Sequence, residues 1–153
     1  MMPAIVMGVK LFINDDPREI ARSRKALLGM MHALMYTNIT WLLTYNRTPP
    51  LYRSGVRYEA ERSQEHWRDI PTIMEHGVGD CEDLACWRAA ELNVAGIRAK
   101  PYLKWRNSGP DRNMYHATLR LPDGRIEDPS AALGMNGAPI IAVPVFVDPG
   151  PMT

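Results

Sequence analysis

The spacing of apolar residues predicts a long helix in the first third of the chain. Between Asp16 and about Tyr45, apolar positions recur at near-helical intervals, and a break near Asn38 is left open. Asp16 as N-cap, Pro17 at the first helical position and Glu19 three residues after the cap are typical of a helix start. The residues predicted to face the core are Ile20, Leu27, Met31, Leu34 and Met35.

A second helical pattern covers about Cys81 to Ala95, and Gly96 is typical of a C-terminal stop. Between the two helices, Pro49 and Pro50 predict a loop, because a helix cannot continue through them. The polar stretch that follows predicts a connector with one helical turn near Ile70 to Glu75. The residues predicted on the buried side of the second helix are Leu84, Ala85, Ala89, Leu92 and Ala95.

Short apolar or alternating segments predict strands on both sides of the helices. The segments "AIVMGVKLFI" (Ala4 to Ile13), "IRAKPYLKW" and "MYHATLRL" are predicted strands, and "IEDP" ends a short one after the turn "LPDGR". In the tail "APIIAVPVFVDPGPMT", Pro144 favours an edge strand or an extended arm. Residues 1–15 and 138–153 are therefore expected to be flanking strands or arms. Helices and strands in this order indicate an α+β fold.

Length and composition fit a single soluble domain over residues 1–153, with 46% hydrophobic and 23% charged residues. The net charge of +1 argues against nucleic-acid binding that works by neutralising phosphates. The stretch from Leu27 to Thr44 contains polar residues, so it is a predicted core helix rather than a membrane span. Cys81 and Cys86 would point in different directions on one helix, which disfavours a disulfide and favours a reducing, cytoplasmic location.

Cys81 stands at the expected start of the second helix, between Asp80 and Glu82. Unpaired backbone N–H groups and the dipole at a helix N-terminus stabilise a thiolate. The two acidic neighbours oppose this effect unless their side chains point away, so the thiolate needs a cationic partner. A histidine can be that partner, and a carboxylate can orient the histidine.

His116 is the best candidate for the partner of Cys81. It lies in the predicted strand "YHATLRL", whose alternation separates an apolar face from a wetter face. His116 shares the wetter face with Thr118 and Arg120. The apolar face consists of Tyr115, Ala117, Leu119 and Leu121.

The turn after this strand decides which way Asp128 faces. "LPDGR" suits a three-residue loop in which Gly124 follows a type I turn in the left-handed conformation. The resulting register puts Asp128 on the face of His116 and diagonal to it, whereas a two-residue Asp-Gly turn would reverse its direction. The same register puts Glu127 on the apolar face, where burying its charge costs free energy.

These residues together resemble the transglutaminase-like cysteine peptidase superfamily. The resemblance lies in "HWRDIPTIMEHGVGDCEDLACWRAAELNVAGIRA" followed by "YHATLRLPDGRIEDPS", and covers roughly Trp67 to Ser130. The family pattern places G-x-C at a helix start, a later histidine on a strand, and an aspartate followed closely by proline. The sequence is most similar to bacterial and bacteriophage members, whose cysteine motif reads G-D-C-E-D.

The resemblance implies a papain-like α+β core in which the nucleophile helix packs on a small antiparallel sheet. It implies a triad of Cys81 as nucleophile, His116 as general base and acid, and Asp128 as orienting carboxylate. The reaction would be acyl transfer on peptide-like or peptidoglycan-like amides, to water or to an amine, with no cofactor. The oxyanion would bind the Cys81 backbone N–H and one further donor, for which Gln64 and Trp67 are both candidates.

A metal site is a weaker interpretation of the same residues. His76, Asp80, Cys81 and Glu82 carry ligand atoms, but their spacing contains neither C-x-x-C nor H-E-x-x-H. We therefore expect no metal. The three acidic residues of the motif, Asp80, Glu82 and Asp83, are expected to cap the second helix or to bind a nearby basic residue.

A bacteriophage virion or assembly protein is the alternative from a different class. Small transglutaminase-like proteins resemble bacteriophage gene products, and a fold can persist as an assembly component with or without activity. The apolar tail "IIAVPVFV" would need a partner or its own sheet to cover it. In that case the partners would be other virion proteins or further copies of the chain, in the host cytoplasm or in a virion.

Overall fold

The computed structural model describes residues 7–8, 20–62, 64–107 and 113–149. The predicted strand Ala4 to Ile13 lies outside these ranges except for Met7 and Gly8, which are not in regular structure. The predicted helix start at Asp16, the side chain of Ile20 and the final residues of the tail also lie outside the described part of the chain.

The described residues form four α-helices and six short or medium-length strands. The helices are α1 (Ile20–Thr44), α2 (Ile70–His76), α3 (Cys81–Val94) and α4 (Pro129–Ala132). The strands are β1 (Arg57–Tyr58), β2 (Val78–Gly79), β3 (Lys100–Asn107), β4 (Asn113–Arg120), β5 (Ile126–Glu127) and β6 (Phe146–Val147). Short 3₁₀ turns lie at Leu51–Arg53 and Met135–Gly137.

The strands form two sheets of very different size. Strands β3, β4, β5 and β6 make an antiparallel sheet in that order, and β1 pairs with β2 in parallel. The chain is therefore a mixed α+β protein with helices and a small antiparallel sheet, as the sequence predicts at this level. The prediction missed β1 and β2, because each has only two residues and no alternation that a sequence pattern could reveal.

Helix α3 lies at the centre of the fold and contacts α1, α4 and the sheet. Trp87 is fully buried, and the predicted core positions Leu84 and Ala89 are also fully buried. The prediction that Ala95 is buried is wrong: the helix ends at Val94 and Ala95 is exposed. Gly96, with φ of +87°, stops the helix in the left-handed conformation that glycine adopts without strain.

Helix α1 is continuous through Asn38, so the break left open there does not occur. Asn38 is fully buried, and its side-chain oxygen accepts a hydrogen bond from the backbone N–H of Ile70 at 3.0 Å. Asparagine is therefore accommodated within the helix because its side chain accepts the backbone N–H of Ile70, which has no acceptor within α2. The predicted stripe is buried at Leu27, Met31 and Met35, which pack against α3 and the sheet.

One helix in the described part of the chain, Ala21–Thr44, has the length and apolar composition of a membrane span. A core helix of a soluble protein passes the same test, so this finding alone is weak.

The β4–β5 hairpin has the predicted turn. The N–H of Leu121 donates to the carbonyl of Arg125 at 2.9 Å, and Gly124 has φ of +91°. Leu119 pairs with Glu127, so Glu127 does lie on the apolar face, where it is 2% exposed. Its cost is offset by Arg88, whose Nε donates to the Glu127 carboxylate at 2.7 Å.

The tail adds β6 at the edge of the sheet, next to β5. This confirms the edge strand that Pro144 favours. The tail is only partly covered by the rest of the chain: Ala142 and Val145 pack against the core. Four of its large apolar side chains stay about half exposed: Ile140, Ile141, Val143 and Phe146.

Candidate functional site

Cys81 is the first residue of α3, as the sequence predicts. Asp80 is the N-cap: its side chain accepts from the backbone N–H of Asp83, whose side chain accepts from the backbone N–H of Asp80. This reciprocal capping box fixes the start of the helix. The sulfur of Cys81 faces the backbone of Ala117, which lies next to His116 on β4, and Cys81 packs against the apolar cluster that contains Ala117. Cys81 therefore lies against the part of β4 that carries the predicted histidine.

His116 and Asp128 form a direct hydrogen bond, with Nε2 and Oδ2 2.8 Å apart. His116 is 28% exposed in its side chain and Asp128 is 5% exposed. Asp128 is the N-cap of α4, and its other oxygen, Oδ1, accepts from the backbone N–H of Ala131 at 3.2 Å. The hairpin register and the helix cap together aim one carboxylate oxygen at the imidazole. Within the described residues, Nδ1 of His116 has no hydrogen-bond partner.

Glu82 does not point away from Cys81. Its side chain is 2% exposed, and the Cys81 thiol donates to its carboxylate with Sγ and Oε2 3.3 Å apart. Burial, followed by the negative charge of Glu82, raises the pKa of the Cys81 thiol well above its usual range. The thiol is therefore neutral in this arrangement, and Glu82 does not meet the condition that the acidic neighbours of Cys81 point away from it.

Two further donors hold Glu82 in the interior. The side chain of Tyr115 is hydrogen-bonded to Glu82, and burial is the main cause that raises the pKa of this phenol. The side chain of Asp80 is also hydrogen-bonded to Glu82. Burial, then the Glu82 charge, raises the pKa of Asp80, so Asp80 retains its proton and can donate it in that bond. One buried carboxylate thus accepts from a thiol, a phenol and a carboxylic acid.

The two oxyanion candidates lie in different surroundings. Gln64 is exposed and lines an open groove of about 590 Å³, whose other lining residues are 59–62, 66 and 68. Trp67 is half-buried, packs against the cluster of apolar residues that contains Ala117, and has its indole N–H directed to Glu65. Trp67 therefore lies on the Cys81 side of the molecule, with its indole N–H facing Glu65.

The remaining acidic residue of the motif, Asp83, binds a basic residue. The backbone N–H of Arg68 donates to Oδ1 of Asp83 at 2.7 Å, and the Arg68 guanidinium lies 3.8 Å from Oδ2. The expectation of capping and of a basic partner is thus confirmed for Asp80 and Asp83. It is wrong for Glu82, which is buried and accepts a hydrogen bond from the Cys81 thiol instead.

Three carboxyl groups, one of them from Asp80 beside Cys81, could hold a metal ion after loss of the Asp80 proton. Oxygen atoms of Glu61, Glu65 and Asp80 lie within 4.8 Å of one another. Oxygen ligands of this kind suit hard cations such as Ca²⁺ and Mg²⁺. The metal ligands considered from the sequence, including His76, do not form this group. His76 instead has Nδ1 2.8 Å from the backbone carbonyl of Thr72.

Three residues of the site were absent from the sequence prediction. Tyr115 and Glu65 surround Glu82, and Tyr58 on β1 lies close to Cys81 and its acidic neighbours. Burial, then Cys81, raises the pKa of Tyr58 to about 12. The alternation of β4 had placed Tyr115 on the apolar face, so its hydroxyl was not considered as a donor. Long-range packing brings Tyr58 and Glu65 there, and no local pattern indicates it.

The second cysteine is structural. Cys86 is fully buried, and its thiol donates to the Met31 carbonyl at 3.4 Å. Neither cysteine forms a disulfide.

Comparisons of the chain with protein-family models, with curated proteins and with solved structures found no significant match.

Proposed function

We propose that this chain is a transglutaminase-like protein with a papain-like core, and that it catalyses cysteine-dependent acyl transfer on peptide-like amides. Cys81 acts as nucleophile, His116 as general base and acid, and Asp128 as the carboxylate that orients His116. The observation that carries the proposal is the 2.8 Å bond between His116 Nε2 and Asp128 Oδ2. His116 lies on the strand whose next residue, Ala117, faces the cysteine at the N-terminus of α3.

The hydrogen bond assigns roles to the two ring nitrogens. Asp128 accepts from Nε2–H, which leaves Nδ1 of His116 as the basic nitrogen. Nδ1 takes the proton of the Cys81 thiol as sulfur attacks the carbonyl carbon of the substrate. The proton then passes to the leaving amine as the C–N bond breaks, and a thioester remains on Cys81. Water or a second amine attacks the thioester with His116 again as base, which releases the product and restores the thiol.

Attack requires the Cys81 sulfur to exchange one partner for another. The thiol proton is directed to Glu82 in the structure, so it must turn from Glu82 toward His116 before transfer. The Cys81 backbone N–H lies in the first turn of α3, where no earlier turn can accept it, and supports the developing oxyanion. Trp67 could be the second donor only by releasing Glu65. Gln64 remains the alternative second donor.

The test is the formation of an acyl-enzyme. The full chain is incubated with a p-nitrophenyl ester, and intact and peptide mass spectra are recorded over time. We expect one acyl group on Cys81, none in Cys81→Ala, and a much slower reaction in His116→Ala and Asp128→Ala. Cys86→Ala is the matched control, because Cys86 is the buried thiol of the same helix, and it should react like the wild type. Acylation that is as fast in His116→Ala, or that occurs elsewhere, would contradict the proposal.

A bacteriophage assembly role is the second candidate function, and the tail is the observation that favours it. Ile140, Ile141 and Val143 are 54%, 52% and 51% exposed in one short segment beside an edge strand. Such a cluster at a sheet edge is typical of a surface that another chain covers. A Val143→Glu variant that changes the sedimentation of the protein, with no acyl-enzyme in the wild type, would support this candidate over the first.

A further inference from the structure

The sequence pattern provides no reason for a charged residue at Glu127, yet the structure surrounds it with partners. Glu127 is 2% exposed on the core-facing side of β5. Arg88 Nε donates to its Oε2 at 2.7 Å, and the hydroxyl of Tyr52 donates to the same oxygen at 2.8 Å. The Arg88 guanidinium also lies over the Tyr52 ring, 5.0 Å from its centre. Because a buried ion pair rarely adds net stability over apolar residues of the same shape, its role needs another explanation.

The position of Arg88 on α3 is informative. Arg88 follows Cys81 by two helical turns, so the two residues lie on the same side of the helix, about 10 Å apart along the axis. Both face the sheet: Cys81 meets Ala117 on β4, and Arg88 meets Glu127 on β5. The ion pair therefore links the helix that carries the candidate nucleophile to the strand next to it.

The position of Glu127 is equally informative, because Asp128 follows it in the chain. Asp128 is held through its backbone N–H, which donates to Val145 at 2.8 Å, and through its cap on α4. The Glu127 side chain adds an anchor on the opposite face of the same short strand. These anchors leave Asp128 little freedom to shift relative to α3.

We propose that the Arg88–Glu127 pair is a positioning device, which sets Asp128 and through it His116 against Cys81. Neither residue touches the reacting atoms. The pair fixes the strand that presents Asp128, Asp128 fixes the ring and tautomer of His116, and α3 fixes Cys81 at the other end of the same helix face. This inference rests on the proposed function for its catalytic consequence, but its effect on His116 is independent of any reaction.

The experiment compares three variants of the full chain by ¹⁵N NMR of the histidine ring and by acylation rate. Glu127→Gln removes the charge, and the double variant Arg88→Met with Glu127→Leu replaces the pair by apolar side chains that keep the interior filled. Glu91→Gln is the matched control: Glu91 also binds Arg88, with Nη1 and Oε2 3.2 Å apart, but it lies on α3 and does not hold β5.

We expect the wild type and Glu91→Gln to show His116 protonated at Nε2 when neutral. In Glu127→Gln and in the double variant we expect a mixture of the two tautomers and an acylation rate lower by about 10- to 100-fold, as for a displaced catalytic group. Urea unfolding confirms that the variants are folded. Folded variants that keep the Nε2–H tautomer would overturn the proposal. If the wild type is not acylated, the proposed function fails. The tautomer of His116 in the four proteins still decides whether the Arg88–Glu127 pair positions Asp128.

Discussion

The thiol of Cys81 donates a hydrogen bond to the carboxylate of Glu82, the next residue in the chain, with Sγ and Oε2 3.3 Å apart. Burial and this carboxylate raise the pKa of the thiol, against the effect of the helix N-terminus and of the Ala117 backbone. The candidate nucleophile is therefore a neutral thiol in this structure, and the proposed reaction requires a change at Glu82 or transfer of the thiol proton to His116.

Removing the Glu82 charge should make Cys81 more reactive. In Glu82→Gln the amide keeps the size of the side chain but no longer opposes the thiolate, so the pKa of Cys81 falls. Each unit of decrease raises the thiolate fraction about tenfold below the pKa. We therefore expect alkylation of Cys81 by iodoacetamide at pH 7 to be at least about tenfold faster than in the wild type. The measurement is peptide mass spectrometry at fixed times from pH 5 to 9.

Two controls belong to this measurement. Glu91→Gln removes a carboxylate from the far end of the same helix, where it binds Arg88, and should leave the Cys81 rate unchanged. Cys86, fully buried, should remain unlabelled in every folded variant. An unchanged Cys81 rate in Glu82→Gln would show that burial alone, and not the Glu82 charge, suppresses the thiolate.

The sequence predicts what local chemistry decides. Gly124 after Pro-Asp sets a three-residue turn, the turn sets the register, and the register aims Asp128 at His116. The start of α3 is likewise local, because Asp80 and Asp83 cap each other within four residues. For these features the pattern of residue types is sufficient.

The sequence does not predict how residues far apart in the chain satisfy one another. Glu127 is a charged residue on an apolar face, and the local sequence does not reveal its partners Arg88 and Tyr52, which are distant in the chain. Asn38 suggests a helix break from the local sequence, but its side chain accepts the backbone N–H of Ile70 within a continuous helix. In both cases the local pattern is overridden by a buried polar contact that only the tertiary fold creates.

The carboxyl of Asp80 should make the protein less stable as the pH rises. Its pKa is raised in the folded state, by burial and then by Glu82, so the folded protein binds this proton more tightly than the unfolded chain. The sign follows: this contribution is complete below the unfolded pKa near 4, and is lost as the pH rises toward the higher folded pKa. Asp83 contributes in the same direction, with burial as the main cause of its raised pKa.

Asp80→Asn tests this pH dependence with little change in shape. Asparagine caps helices as well as aspartate and can donate to Glu82 without a titratable proton. We expect the free energy of unfolding of the variant to fall less steeply between pH 5 and 8, by up to about 1.4 kcal/mol per unit. Urea unfolding at several pH values measures it. Asp123→Asn, which removes an exposed carboxyl, should keep the wild-type slope. An Asp80→Asn variant that keeps the wild-type slope would contradict the assignment of this pH dependence to Asp80.

Asn38 should contribute to stability through the one hydrogen bond that it accepts from α2. Asn38→Leu fills the site but leaves the N–H of Ile70 buried without a partner, which costs about 1–3 kcal/mol. Thr37→Ala is the matched control: it lies beside Asn38 but is exposed and bonds only within its own helix, to Ala33. Its free energy of unfolding should change by less than about 0.5 kcal/mol. Equal effects of the two substitutions would show that the buried hydrogen bond contributes no more to the free energy of unfolding than the exposed one.

Two glycine substitutions should have effects of opposite sign. Gly124 has φ of +91°, so alanine there is strained and should lower the free energy of unfolding by about 1–2 kcal/mol. Gly29 lies within α1 with open space around it, so alanine there should raise stability by about 0.4–1 kcal/mol. Because Gly124 also fixes the register that directs Asp128, Gly124→Ala should slow acylation of Cys81, whereas Gly124→Asn should retain more of both properties. Denaturant unfolding and the acylation rate measure both effects, and a Gly124→Ala variant that is destabilised but acylated at the wild-type rate would separate the turn from the site.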